Sequence, residues 1–578
     1  MIKHAVIFAA VLLGSVSCYY KSDTPDITGR DIRLTLLHTS DLHSRVLPFD
    51  HAPMYTEQKL GLMPGRGPYG GIARVAHLIK RERAKAGRSL WVDSGDMFQG
   101  APIFNLFHGE PEVRSMSKAG LDVFALGNHE FDVGPVNVVT QFKSWADFPI
   151  LAANYRFDVN SQPFSADFAD LIDPVAVFEL RGLKVGVIGM GNTSSMTTLE
   201  EGSNSLGIIP LNAVQTVQNH VNVLREQVDV VVLLSHLGLG QDEWVARNVC
   251  GLDIIMGGHH HVALNPPKVI RYDPDPGLIE GTHEDAEYDA DEGSGGMSAF
   301  GECPESYRRD VILAHPNAFA KFVARIDLVI RDGRIRSHAF ELFPIDNTIP
   351  DDPETAYVLE EYVEELNLTY NLGRVFGTAV EDISRFGGAG GDSMLGNFVC
   401  EAMQMRKNVE TDFCVTNSLG MRTDILQGDI TLETMFNVLP FENTITTMYL
   451  SGVEVQDLLD YATQRSAGRG CATQIQVSNI TFTMNCRTGV AEDIMIGGQD
   501  IQPDMVYEMA TNNYIAWGGS GFDMLEQNTT KQDTGISMRD AVIDYIKKHP
   551  KLPECFDGEI EGCKSGVAIS DGRIRPAY

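Results

Sequence analysis

Basic residues are scarce in this chain of 578. Forty-six lysines and arginines stand against 78 aspartates and glutamates, a formal charge of −32. A field of that sign repels phosphodiester backbones and anionic lipid at long range, which argues against a nucleic-acid partner. No C-x-x-C pair occurs among the nine cysteines, which removes a thioredoxin-like redox motif and a zinc ribbon. No repeat period emerges, so a solenoid is not indicated. The apolar run from Ala5 to Gly14 is too short to cross a membrane, and "SGVAISDGRIRPAY" at the other end has no apolar tail for a glycolipid anchor.

What is present fits an exported globular protein. Lys3, the apolar run and the small residues Ser15 and Ser17 have the layout of a signal peptide over residues 1–17, with a polar tether over 18–32. This places the chain in a periplasm, in the medium, or at the cell surface through lipid on Cys18 as the sole membrane attachment. Lipidation stays open, because Ser15 stands where a lipoprotein signal carries leucine. Without Cys18 eight cysteines remain, an even set that favours disulfides outside the cytoplasm. Cys471 with Cys486 and Cys555 with Cys563 are spaced as local staples.

Hydrophobic residues make up 43% and charged residues 21%, enough apolar surface at this length for two or more cores. From Leu34 onward apolar runs alternate with helix-spaced segments: "LTLLHTS", "SLWVDSGD", "DVFALGNHE", "DVVVLLSHLG" and "LDIIMGGHHH" are the clearest runs. The alternation predicts a layered α/β domain over 33–348, sheets with flanking helices, closed by a hairpin turning at Asp332-Gly333. An acidic insertion is expected over about 267–307; it lacks the spacing of a calcium loop. A linker helix is expected over 349–372, a second mixed α/β domain over 373–535, and a peripheral tail over 536–578.

Each of those five runs ends in polar residues. They are Asp41 and His43, then Asp96, then Asn128, His129 and Asp132, then His236, then His259 and His261. One such residue after a strand is usually a turn former. Five strand ends in one chain instead suggest loops converging on a crevice. Mixed oxygen and imidazole donors suit two borderline divalent ions such as Zn, Mn, Co or Fe. Such a pair polarises phosphoryl oxygens and supplies a nucleophile without serine or cysteine. His129, with Asp132 three residues on, reads as an oriented imidazole for proton transfer.

"SDLH", "DSGD", "GNHEFD", "SHLG" and "GGHHH", in that order and before a second domain, resemble the exported metallophosphoesterase 5'-nucleotidases, a family that includes periplasmic UDP-sugar hydrolases and ecto-5'-nucleotidases. The resemblance implies one metal on Asp41, His43, Asp96 and His261, and another on Asp96, Asn128, His236 and His259, with Asp96 bridging. It places His129 and Asp132 on the catalytic pair. For the nucleotide pocket it implies Asn417, Gly420 and Arg422, with Phe441 and Tyr514 sandwiching the base, and a disulfide between Cys400 and Cys414. Two positions depart from the family: Ser520 stands where a ribose-gripping acid is usual, and Arg385 is displaced by a glycine-rich insertion. The implied activity is phosphate release from nucleoside 5'-monophosphates, extending to nucleotide diphosphates or UDP-sugars. A phosphodiesterase for 2',3'-cyclic nucleotides, a phosphatase for non-nucleotide esters, and a catalytically silent nucleotide or metal binder stay open. Oligomeric state is not legible.

Overall fold

The five apolar runs become strands whose carboxyl ends converge at one pole of the first domain. The computed structural model describes the chain apart from residues 1–24, 52, 54, 66, 158–164, 194–207, 275–302 and 556–565. The signal peptide, the first seven residues of the tether, the centre of the acidic insertion and Cys563 therefore lie outside the described residues.

Strands covered on both faces need apolar sequence or hydrogen-bonded polar groups. Val230–Ser235 is apolar up to Ser235, and in Ile32–Thr39, buried except for Arg33, the side chains of Thr35, His38 and Thr39 bond to Asp327, Ser94 and Asp93. The first sheet has seven strands. Ile32–Thr39 pairs in parallel with Ser89–Asp93 and antiparallel with Phe322–Arg331, and Val123–Ala125 lies beyond Ser89–Asp93. The second sheet has six, with Val230–Ser235 between Leu183–Met190 and Ile254–Gly257, parallel to both. Leu34, Leu36 and Val92 of the first sheet meet Val187, Val232 and Ile254 of the second in one buried layer. Helices Ile72–Lys85 and Glu110–Ala119 cover the outer face of the first sheet, and Ala213–Leu224 and Leu239–Asn248 that of the second. The expected hairpin joins Phe322–Arg331 to Arg334–Pro344, with Asp332 at φ 50° and Gly333 at 66°, the left-handed pair a tight turn requires.

The linker helix spans Pro353–Thr369, with Asp352 accepting from the Thr355 N–H as its cap. Its residues Tyr362 and Leu366 are buried in the first domain's core, so the linker is docked on that domain. In the second domain a five-stranded sheet runs in the order Ile475–Ser478, Phe413–Asn417, Val506–Asn512, Thr444–Ser451, Gln532–Ser537. Helix Met394–Gln404 belongs to one of its cores and Gly452–Gly468 to the other.

Three expectations are corrected. The tail is not peripheral: in helix Met538–Lys548, Met538, Ala541, Val542 and Ile546 recur at helical spacing and enter the second domain's core, and Ile574–Ala577 pairs with Ile480–Asn485. The insertion starts later than 267, because Lys268–Arg271 is an edge strand paired with Asp310–Ala314. Cys400 and Cys414 are buried free thiols, Cys400 Sγ facing the Gln476 carbonyl at 3.1 Å. Burial and the neighbouring Cys400 thiol push Cys414 well above the usual thiol range. The staple Cys471–Cys486 is present, and Cys250–Cys303 is a further disulfide that closes the insertion's base. Cys555 is also disulfide-bonded.

Candidate active site

Backbone hydrogen bonds zip the ligand-bearing loops together. The N–H groups of Asp41 and His43 donate to the carbonyls of Gly95 and Asp96 at 2.8 and 2.9 Å, and Phe319 N–H donates to the Asp41 carbonyl at 2.7 Å. Asp41, His43, Asp96, His259 and His261 all sit at positive φ, between 48° and 76°. Left-handed backbone at non-glycine residues costs about 1–3 kcal/mol each and persists where neighbouring structure over-determines it. Gly127 is required for a different reason: a Cβ there would lie 2.2 Å from Asp96 Oδ1.

The side chains meet in three overlapping groups whose donor atoms lie within 4.8 Å of one another: Asp41, His43 and His261; His43, Asp96 and His129; Asp96, His236 and His259. Asp96 is shared by two of them, as a bridging carboxylate would be. His43 Nδ1–H donates to the Gln99 carbonyl at 2.8 Å and His236 Nδ1–H to the Ser94 carbonyl at 2.5 Å. These bonds turn both Nε2 atoms inward, the outer-sphere pattern that orients metal-binding imidazoles. His43 Nε2 and His261 Nε2 are 2.9 Å apart, and His236 Nε2 is 3.0 Å from Asp96 Oδ2. Asn128 is buried, and its Oδ1 has no hydrogen-bond partner among the described residues.

Electrostatics agree with this donor set. Burial holds His43 and His259 well below the ordinary imidazole range, which favours the neutral form a metal needs. Burial disfavours the charged form of Asp96, but His236, His129 and His43 outweigh it and keep the carboxyl well below its usual range. His236 is drawn up to about 10: burial opposes the proton, and Asp96 and Asp41 hold it there. A divalent ion would answer the same carboxylates in that proton's place. Convergent inward nitrogens, a shared carboxylate and an orphaned amide oxygen fit a binuclear divalent-metal centre.

His129 Nδ1 is 2.9 Å from Asp132 Oδ2, and the His129 N–H donates to Asp96 Oδ1 at 2.8 Å. His260 turns away, its Nδ1 accepting from the Leu239 N–H at 2.9 Å.

The second domain reaches into this centre. Arg422 Nη2 lies 3.1 Å from His43 Nε2, and the Phe441 ring is 5.9 Å from that of His129. Arg385 Nη1 donates to the Met421 carbonyl at 3.0 Å, next to Arg422. Asn417 and Gly420 adjoin one another, and Asn417 Oδ1 accepts from Asn512 Nδ2 at 2.8 Å. Asn512 also caps helix Asn513–Ala516, which carries Tyr514, and Ser520 Oγ lies 3.4 Å from the Tyr514 hydroxyl. Phe441 thus stands on the metal side, while Tyr514 groups with Asn417 and Ser520.

Three contributors escaped the sequence reading. Glu130, fully buried, accepts from the N–H groups of Met97 at 2.6 Å, Gly127 at 2.7 Å, Asp96 at 3.2 Å and Phe98 at 3.3 Å, tying two ligand loops together. Phe319 packs its ring against His43 and His261 at 5.5 and 5.0 Å. Asn512 links Asn417 to the helix that carries Tyr514. An acid inside "GNHEFD" was the available signal for Glu130; the other two have none.

Residues 34–263 match the calcineurin-like phosphoesterase family and residues 375–527 the 5'-nucleotidase C-terminal domain. A 5'-nucleotidase of Diplobatis ommata is 26% identical over 566 residues, covering 91% of this chain and 89% of its own length. A snake venom 5'-nucleotidase of Crotalus adamanteus is 26% identical over 568 residues, covering 92% and 89%. The crystal structure of a 5'-nucleotidase precursor from Thermus thermophilus matches with a TM-score of 0.77 at 25% identity, covering 94% of this chain and 99% of that one. With both domains matched and the ligand clusters assembled, the chain belongs to the calcineurin-like metallophosphoesterases of the 5'-nucleotidase family.

Proposed function

We propose that this enzyme hydrolyses nucleoside 5'-monophosphates, with the phosphate at the metal centre and the nucleoside toward the second domain. The observation that carries this is Arg422, a second-domain guanidinium 3.1 Å from His43 in the ligand cluster. When bound, two divalent ions supply Lewis acidity toward phosphoryl oxygens and a nucleophile at neutral pH. Asp41, His43, Asp96, Asn128, His236, His259 and His261 hold them. Arg422 forks onto the phosphate, and Arg385 adds positive charge behind it. His129 faces the leaving oxygen; Asp132 fixes Nδ1–H, so that Nε2 passes a proton to the departing alkoxide. Phe441 and Tyr514 offer ring faces to the base, and Asn417 and Gly420 a polar edge.

Phosphate release from AMP by the purified protein with Mn²⁺, before and after chelation, tests this reading. Release that chelator abolishes and Mn²⁺ restores is the expected result. Chelator-insensitive release, or none from any phosphoester, would sink it.

Ser520 supports a second reading. Its hydroxyl carries no charge with which to grip a ribose diol, so discrimination for nucleosides is weaker and phosphate esters without a ribose compete. Comparable kcat/KM for AMP and an aryl phosphate would favour that reading; a strong preference for AMP would reject it. Residence outside the cytoplasm is supported by the disulfides and by a relative named from venom.

A further inference from the structure

Five arginines gather at the pole of the first domain opposite the metal ligands. Arg271, Arg308, Arg309, Arg334 and Arg336 line a pocket of about 540 Å³, with only Asp253 and Asp310 as acids among its lining residues. Arg309 and Asp310 lie at the amino end of Asp310–Ala314, and Arg334 at the amino end of Arg334–Pro344. The metal ligands follow the carboxyl ends of strands parallel to these. Eight residues of Ile32–Thr39 at about 3.3 Å each put roughly 25 Å between the two poles.

The pocket is a built feature. Arg309 Nε donates to Asp253 Oδ1 at 3.2 Å, and its Nη1 to the Ser306 carbonyl at 2.7 Å. Arg334 Nη2 shares that carbonyl, also at 2.7 Å. The disulfide Cys250–Cys303 fastens the loop that carries Arg308 and Arg309. Arg271, Arg308 and Arg336 make no ion pair among the described residues, in a chain whose acids outnumber its bases by 32. Like charges held this close repel, and a polyanion placed among them relieves that repulsion.

We infer that this pocket binds a small organic molecule bearing two or more tetrahedral oxyanion groups, phosphate foremost. Guanidinium forks match such groups in bidentate geometry. Val269, Ile312, Ile335 and the ring of Tyr272 supply the apolar surface an organic body needs. The volume falls in the range of small-molecule sites, roughly 300–1,000 Å³.

Calorimetry with naphthalenetrisulfonate, a metal-innocent probe, tests the site on the metal-loaded full chain. The wild type is expected to bind it at one site, with pyrophosphate competing. R308E/R336E should weaken binding at least about tenfold while leaving AMP turnover near wild type, and R422A should leave binding unchanged. No binding by the wild type, equal binding by R308E/R336E, or loss of binding in R422A would each overturn the proposal. If R308E/R336E does not fold, the single variant R308Q carries the test: a weakened affinity supports the site and an unchanged one rejects it.

Discussion

Nη2 of Arg422, on the second domain, lies 3.1 Å from Nε2 of His43, on the first. The guanidinium is part-buried; that desolvation pulls it below the ordinary arginine range, and Asp96, Asp132 and Asp41 offset only part of the shift. A cation so placed stabilises a phosphate more than it stabilises the fold. Arg422→Ala should lower kcat/KM for AMP roughly 10–100-fold, the worth of one charged hydrogen-bonding partner. Arg422→Lys should recover only part, because an ammonium cannot fork. Steady-state kinetics at fixed metal occupancy decide the matter; unchanged kcat/KM in Arg422→Ala would place the phosphate elsewhere.

His129 is braced by Asp132 at 2.9 Å, with burial resisting its charge and Asp132 and Asp96 raising it above the usual imidazole range. As a proton donor it should matter to turnover far more than to metal binding. His129→Ala should reduce kcat by about 10²–10⁴-fold with metal content kept, and Asp132→Asn should give a smaller loss. Elemental analysis beside kcat checks this. Metal lost in parallel with kcat would make His129 a ligand.

Much of the centre was legible because a strand that stops in acid or imidazole is a local signal. Asp41 and His43 follow a strand-like run built on Leu34, Leu36 and Leu37, and four later strand ends repeat the pattern. What stayed hidden depends on contacts between loops far apart in the chain. The Phe319 N–H meets the Asp41 carbonyl across most of the first domain's sequence, and no local periodicity marks it. Asn512 reads as an ordinary polar residue until Asn417 is seen beside it. The tail helix was legible in principle: "SMRDAVIDYIKK" is amphipathic, with apolar residues at helical spacing.

Glu130 joins four N–H groups from two ligand loops. Burial and the charge of Asp96 raise its carboxyl to about 8, against His236 and the Gly127 and Met97 N–H groups, which favour the charged form. Glu130→Gln replaces one acceptor oxygen by a donor facing donors. It should cost about 1–3 kcal/mol of stability and weaken metal affinity roughly 10–100-fold, the scale of outer-sphere losses. Thermal unfolding and metal titration together test this. A variant with wild-type affinity would show that Glu130 supports the fold without positioning the ligands.

A buried ionic group beside the centre sets the response to acid. His51 Nε2 donates to Glu57 Oε2 at 2.8 Å, and Lys321 Nζ pairs with Glu57 Oε1, all three being buried. Burial, with Lys321 and Arg385 adding to it, lowers His51 to about 4 despite Glu57. The unfolded chain therefore binds the extra proton below pH about 6.5 while the folded chain refuses it until about 4. Stability from this group is complete above about pH 6.5, falls as pH drops, and is exhausted near pH 4. Between pH 7 and pH 5 the loss should be about 2 kcal/mol, on top of what other groups contribute. Glu57, held well below the usual carboxylate range by His51 and Lys321 against its own burial, adds a loss of the same sign at lower pH. In His51→Gln that increment disappears, so the difference in urea unfolding free energy between pH 7 and pH 5 should shrink by the same amount. An identical pH response in wild type and variant would show that His51 is not the group that carries it.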